Sequence, residues 1–133
     1  MALSKPEPIP EGTEELGRRV IGCAITVHRV LGPGFKERIY QRAYGLELDA
    51  QELQHECEKR VTVRYKDWEI PGHRLDLVVG GQVIVELKSA LRVEYLHKRQ
   101  LVSYLRATNL RLGFIINFNV NILKDDGITR IAL

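Results

Sequence analysis

The chain has 133 residues, 44% hydrophobic and 28% charged, with a formal net charge of +3. That size fits one domain with its own core, the composition excludes extensive disorder, and so small a charge permits a polyanionic partner without demanding one. No apolar run approaches the roughly 18 residues of a membrane span, which excludes a membrane partner of that kind.

Residues 1–12, with prolines at three alternating positions and no periodic apolar signal, read as a mobile arm ahead of a single domain over 13–133. The start MALSKPEPIPEG also lacks the apolar core of a signal peptide. Thr13 is the expected N-cap of a first helix whose stripe is Leu16, Val20, Ala24, Val27 and Leu31, stopped by Gly32-Pro33-Gly34. A second helix is expected from Phe35–Glu37, with Ile39, Ala43, Leu46, Ala50 and Leu53 as its apolar stripe. Cys23 and Cys57 have no metal-ligand spacing, so reduced thiols in a cytoplasmic protein are expected and a zinc site is not.

From Glu58 the period falls to two. Val61, Val63 and Tyr65 alternate with polar residues, and Lys66-Asp67 turns the chain toward Trp68-Glu69-Ile70. Pro71-Gly72 is expected to interrupt before two further strands, Arg74–Val79 and Gln82–Lys88, joined through Gly80-Gly81. A third helix over Val93–Ala107 should bury Val93, Leu96, Leu101 and Leu105, and an apolar strand over Arg111–Phe118 should lie parallel to a neighbour. Asp125-Asp126-Gly127 leads into a last edge strand, Ile128–Leu133.

The charged residues of HRLDLVVGGQVIVELKS carry the chemistry. Glu86 and Lys88 interrupt a run that otherwise reads as buried, where unpaired charge is costly. Two carboxylates can hold a hard divalent cation through oxygen, and a neighbouring ammonium can orient water or neutralise phosphate charge, the set that metal-dependent phosphodiester cleavage needs. Glu86 and Lys88 are two apart and share a sheet face. A two-residue turn at Gly80-Gly81 would put Asp76 on the opposite face. A three-residue loop Val79-Gly80-Gly81, pairing Val78 with Gln82 and Asp76 with Ile84, would put it on the same face. The competing structural reading pairs Asp76 with Arg74 or Arg64, and Glu86 with Lys88.

GPGFKERIY resembles the signature of the GxxExxY family, with Gly34, Glu37 and Tyr40 at its named positions. The resemblance continues through RLDLVV, VIVELKS, QLVSYLRAT and GFIINF. That family belongs to the PD-(D/E)xK nuclease superfamily, so the resemblance implies a mixed α/β (α+β) fold with a restriction-endonuclease-like αβββαβ core and a central mixed sheet flanked by helices. It implies catalytic Glu37, Asp76, Glu86 and Lys88, with Mg²⁺ or Mn²⁺ held by Asp76, Glu86, the Leu87 backbone carbonyl and Glu37. Leu75 stands where the superfamily name has proline. Gln100 and Tyr104 resemble the QxxxY element and, with Lys36 and Lys98, are expected at the substrate, although Tyr104 reads almost as well as a packed polar face. The expected activity is DNA hydrolysis. Alternatives are a catalytically silent nucleic-acid-binding or protein-interaction module on the same fold, or a subunit that acts with a homo-oligomer or partner protein.

Overall fold

The computed structural model of the protein describes residues 7–133. Of the expected arm, residues 1–6 lie outside the described residues, while residues 7–10 are tied down. Arg111 donates to the carbonyls of Glu7 and Pro8, and Ile9 packs against the core. Helix α1, Glu11–Leu31, begins two residues earlier than Thr13, with Pro10 as its N-cap and Glu11 and Glu14 in its first turn. Thr13 instead donates to the Gln82 side chain at 2.7 Å.

Helix α2, Glu37–Ala50, turns a different face inward from the one its aliphatic spacing suggested. Tyr40, Tyr44 and Leu48 are fully buried, while Ile39 and Leu46 are exposed. Both stripes have helical spacing, and the tyrosines prevail because each places its ring in the core and satisfies its hydroxyl. Tyr40 stacks on Phe118 with centroids 4.3 Å apart and donates to Gly32 O at 2.5 Å, and Tyr44 donates to Val20 O at 2.7 Å.

Five strands form one mixed sheet in the order β1 (His55–Tyr65), β2 (Trp68–Val79), β3 (Val83–Lys88), β4 (Leu112–Asn117), β5 (Ile128–Ala132). Pro71-Gly72 does not divide β2, because a register shift at Val61/Thr62 absorbs the irregularity. Beyond it the hairpin leaves the core, so Val63, Tyr65, Trp68 and Ile70 are exposed. Strand β3 is central, antiparallel to β2 and parallel to β4, and helix α3 (Tyr95–Thr108) makes the crossover. A short π-helical segment, Leu123–Gly127, precedes the edge strand β5.

Alternation divides the sheet into two faces. Leu77, Val79, Val83, Val85, Leu87, Phe114 and Ile116 pack with α1 and α2, while Val78, Ile84 and Ile115 pack with Leu101 and Leu105 of α3. Helix α3 starts at Tyr95 rather than Val93, and Leu96 is exposed instead of buried. Gly113 sets its approach: a Cβ there would lie 2.9 Å from the Leu101 side chain.

Candidate functional site

The turn between β2 and β3 decides which side chains meet. Gly80 and Gly81 both take the left-handed conformation, with φ of 59° and 65°, and Gln82 N–H bonds back to Val79 O at 3.0 Å. The loop is therefore Gly80-Gly81-Gln82, one residue further along than expected, and Val79 pairs with Val83 rather than Val78 with Gln82. The parity needed for Asp76 to share the face of Glu86 and Lys88 is kept. The register now runs Leu77 to Val85 and carries Asp76 to a place opposite Glu86, not Ile84.

At that position side chains replace the main-chain ladder. Leu87 N–H donates to Asp76 Oδ2 at 2.8 Å, and Asp76 N–H donates to Glu86 Oε1 at 3.4 Å. Glu86 is only 8% exposed. Burial first and the Asp76 charge second push its carboxyl up, against the opposing charge of Lys88, to about 8. Burial also raises Asp76, offset by the Leu87 N–H and by Lys88, while the charge of Glu37 adds to the rise. The half-buried Asp76 and the buried Glu86 face each other and cannot both ionise cheaply, so the pair holds a proton more tightly than separate carboxyls would. A divalent cation between oxygens can take the place of that proton, which is the chemical sense in which Asp76 and Glu86 fit a hard ion.

Glu37 reaches the site from the first turn of α2. Its Oε1 accepts from Ser89 N–H at 3.4 Å, and the Ser89 hydroxyl donates to Phe35 O at 2.6 Å, which straps the start of α2 to the end of β3. The three acids are near one another without closing into one shell: among the described residues no group of three or more His, Cys, Asp and Glu side chains is placed to hold a metal ion. Lys36, Glu37, Asp76, Ser89 and Asn119 line an open cleft of about 760 Å³, which Arg38 and Glu58 also border.

Tyr104, on the flank of α3 toward β2, bonds His73 Nδ1 through its hydroxyl at 3.2 Å. Burial raises its phenol, and the charges of Glu86 and Asp76 add to the rise, so Tyr104 lies within their field. Gln100 is half-buried one turn earlier on the same helix. Lys98 is elsewhere, in a separate depression with Tyr95, Arg99 and Arg106. Its distance of two residues from Gln100, about 200° around a helix, already put it on another side. His97 closes a capping box with Glu94, and His28 binds Val120 O at 2.8 Å, so both are structural.

Two contributors escaped the sequence reading. Asn117, 2% exposed, pairs with Lys88 across β3–β4, and its amide accepts from Ala90 N–H at 3.1 Å and donates to Ala90 O at 3.0 Å. It thereby fixes the chain just past Lys88, as Ser89 fixes it against Glu37. A polar residue ending the apolar run GFIIN was the available signal.

A family model described as the PD-(D/E)XK nuclease superfamily matches residues 14–131. No curated protein and no solved structure matches the chain.

Proposed function

The chain belongs to the PD-(D/E)XK nuclease superfamily, and we propose that it is a GxxExxY-type member that hydrolyses DNA phosphodiester bonds with Mg²⁺ or Mn²⁺. The observation that carries this reading is the pair of half-buried Asp76 and buried Glu86, opposed across β2 and β3, with Lys88 on the same face. A structural ion pair would put a cation against each acid. Here the acids face each other instead, the arrangement a cation-binding site requires.

Asp76 and Glu86 hold the ion, together with the Leu87 carbonyl, and Glu37 completes the set from α2. The ion supplies Lewis-acid polarisation of a phosphoryl oxygen. Lys88 orients the attacking water and offsets charge that develops on the phosphate. The Leu87 N–H keeps Asp76 aimed, Ser89 holds Glu37 at the cleft, and Lys36 neutralises the incoming backbone. Tyr104, steadied by His73, and Gln100 contact the substrate from α3.

The open spacing of Glu37 favours one second reading, a DNA-binding module without turnover. The deciding experiment incubates the purified protein with linear, nicked, circular, single-stranded and branched DNA in Mg²⁺ and in Mn²⁺. Divalent-dependent cleavage that disappears in Asp76→Ala, Glu86→Ala and Lys88→Ala supports the nuclease. Binding without cleavage on every substrate supports the module.

A further inference from the structure

Helix α3 carries three of the chain's 20 Lys and Arg residues, Lys98, Arg99 and Arg106, and none of its 17 Asp and Glu residues. Its excess therefore equals the formal net charge of the whole chain, +3, and the rest of the sequence balances. The placement is ordered as well. Tyr95, Arg99, Val102 and Arg106 follow the spacing of one straight helical stripe, and Lys98 and Ser103 flank it. These six residues line a shallow trough of about 320 Å³.

Four cations elsewhere have an acidic partner at ion-pair distance: Arg18 with Glu11 and Glu15, Lys59 with Glu56, Arg92 with Glu94, and Arg130 with Glu14. Among the described residues none of the three α3 cations has an acidic partner within ion-pair distance. The Arg99 guanidinium lies over the Tyr95 ring, 5.7 Å from its centroid, which orders a planar donor fork at one end of the trough. Seven residues separate Arg99 from Arg106, about 10 Å along the axis, the run of about three phosphates on one strand. Tyr104, in the field of Asp76 and Glu86, occupies the opposite flank of the same helix.

We infer that this flank of α3 is a contact surface for the phosphate backbone of the DNA, engaging it away from the scissile position; the inference rests on the nuclease reading for its choice of ligand. Three unpaired cations in a trough release counterions when phosphates replace them, and the arginine fork matches phosphate geometry. The trough adds affinity for a long substrate and leaves the chemistry at Asp76 and Glu86 unchanged.

The test measures anisotropy of a labelled 30-base-pair duplex against salt concentration in EDTA, for the wild type and for the triple variant Lys98→Ala, Arg99→Ala, Arg106→Ala. A second triple variant, Arg29→Ala, Arg64→Ala, Lys124→Ala, changes the net charge equally at exposed positions elsewhere. Removing the α3 cations should lower the slope of log affinity against log salt by roughly 0.9 per charge and weaken binding at least about tenfold, while the control keeps the wild-type slope. Equal slopes for wild type and the α3 variant, an equal fall in the control, or no duplex binding by the wild type overturns the inference. Circular dichroism melting of both variants establishes that each is folded. Cleavage is scored separately with bis(p-nitrophenyl) phosphate in Mn²⁺, a substrate too small to span from the acid pair to the trough. An α3-dependent slope with no cleavage keeps the surface and removes the nuclease; cleavage with an unchanged slope does the reverse.

Discussion

The two faces of the sheet follow different rules. On the α1/α2 side, aromatic and branched residues close into a continuous core, and the tyrosines that enter it have their hydroxyls bonded to main-chain carbonyls. On the α3 side the apolar cluster is smaller, and the same sheet admits Asp76, Glu86 and Lys88 beside it. The first face holds the protein together, while the second accepts a destabilising pair of facing carboxyls. Substitutions on the two faces should separate stability from activity.

The largest effect is expected on activity. Glu86→Gln keeps the shape of the side chain and removes its charge, and should lower cleavage by more than the roughly 10–100-fold typical of losing an outer partner of a metal ligand. Steady-state rates in Mn²⁺ measure it, and melting of the same variant at pH 8 should show no loss of stability. A destabilised Glu86→Gln protein would break the contrast between the faces.

Tyr40→Ala is the converse. It empties a fully buried position stacked on Phe118 and should cost about 3–5 kcal/mol in urea unfolding. Tyr40→Phe removes the bond donated to Gly32 O and the one accepted from Phe35 N–H, and should cost about 1–3 kcal/mol.

The third prediction concerns pH. Glu86 has a folded-state carboxyl raised from 4.5 to about 8, so the folded protein binds more protons than the unfolded chain between those values. The contribution of Glu86 to the stability of the metal-free protein should be fully present below pH 4.5 and fall as pH rises toward 8, by on the order of a few kcal/mol. The raised Asp76 acts in the same direction. Glu86→Gln should flatten this slope, and Mn²⁺ should raise the melting temperature more at pH 8 than at pH 5. An unchanged slope in the variant would show that the acid pair does not set it.

The smallest effect sharpens the boundary between the faces. Asn117→Ala leaves the N–H groups of Ala90 and Asn119 without their side-chain acceptor and Ala90 O with only the Asn119 amide as donor, and should cost about 1–3 kcal/mol. Because those bonds fix the chain just past Lys88, calorimetric titration should also show weaker Mn²⁺ binding in this variant, whereas Tyr40→Phe should leave Mn²⁺ affinity unchanged.

Much of the fold was legible in local pattern. The stripe Val20, Ala24, Val27 marked α1, the change of period marked the hairpin, and a helix between apolar strands marked the parallel pairing of β3 and β4. The face of α2 was not legible, since Ile39 and Tyr40 both head helical stripes and only Phe118, far along the chain, favours the tyrosines. The place of Lys98 apart from the cleft was legible, since its helical angle pointed away from Gln100 and Tyr104.

The sequence by itself determined the period of each element, the shared face of Glu86 and Lys88, and the concentration of positive charge on α3. Only the tertiary structure decided that Asp76 stands opposite Glu86, that Asn117 and Ser89 fix the chain beside them, and that Glu37 is held at the edge of the cleft. Periodicity is a local property, fixed by rise and twist. Register is not: Gly80-Gly81 permits more than one loop, and the choice among them is set by burial on both faces of the sheet.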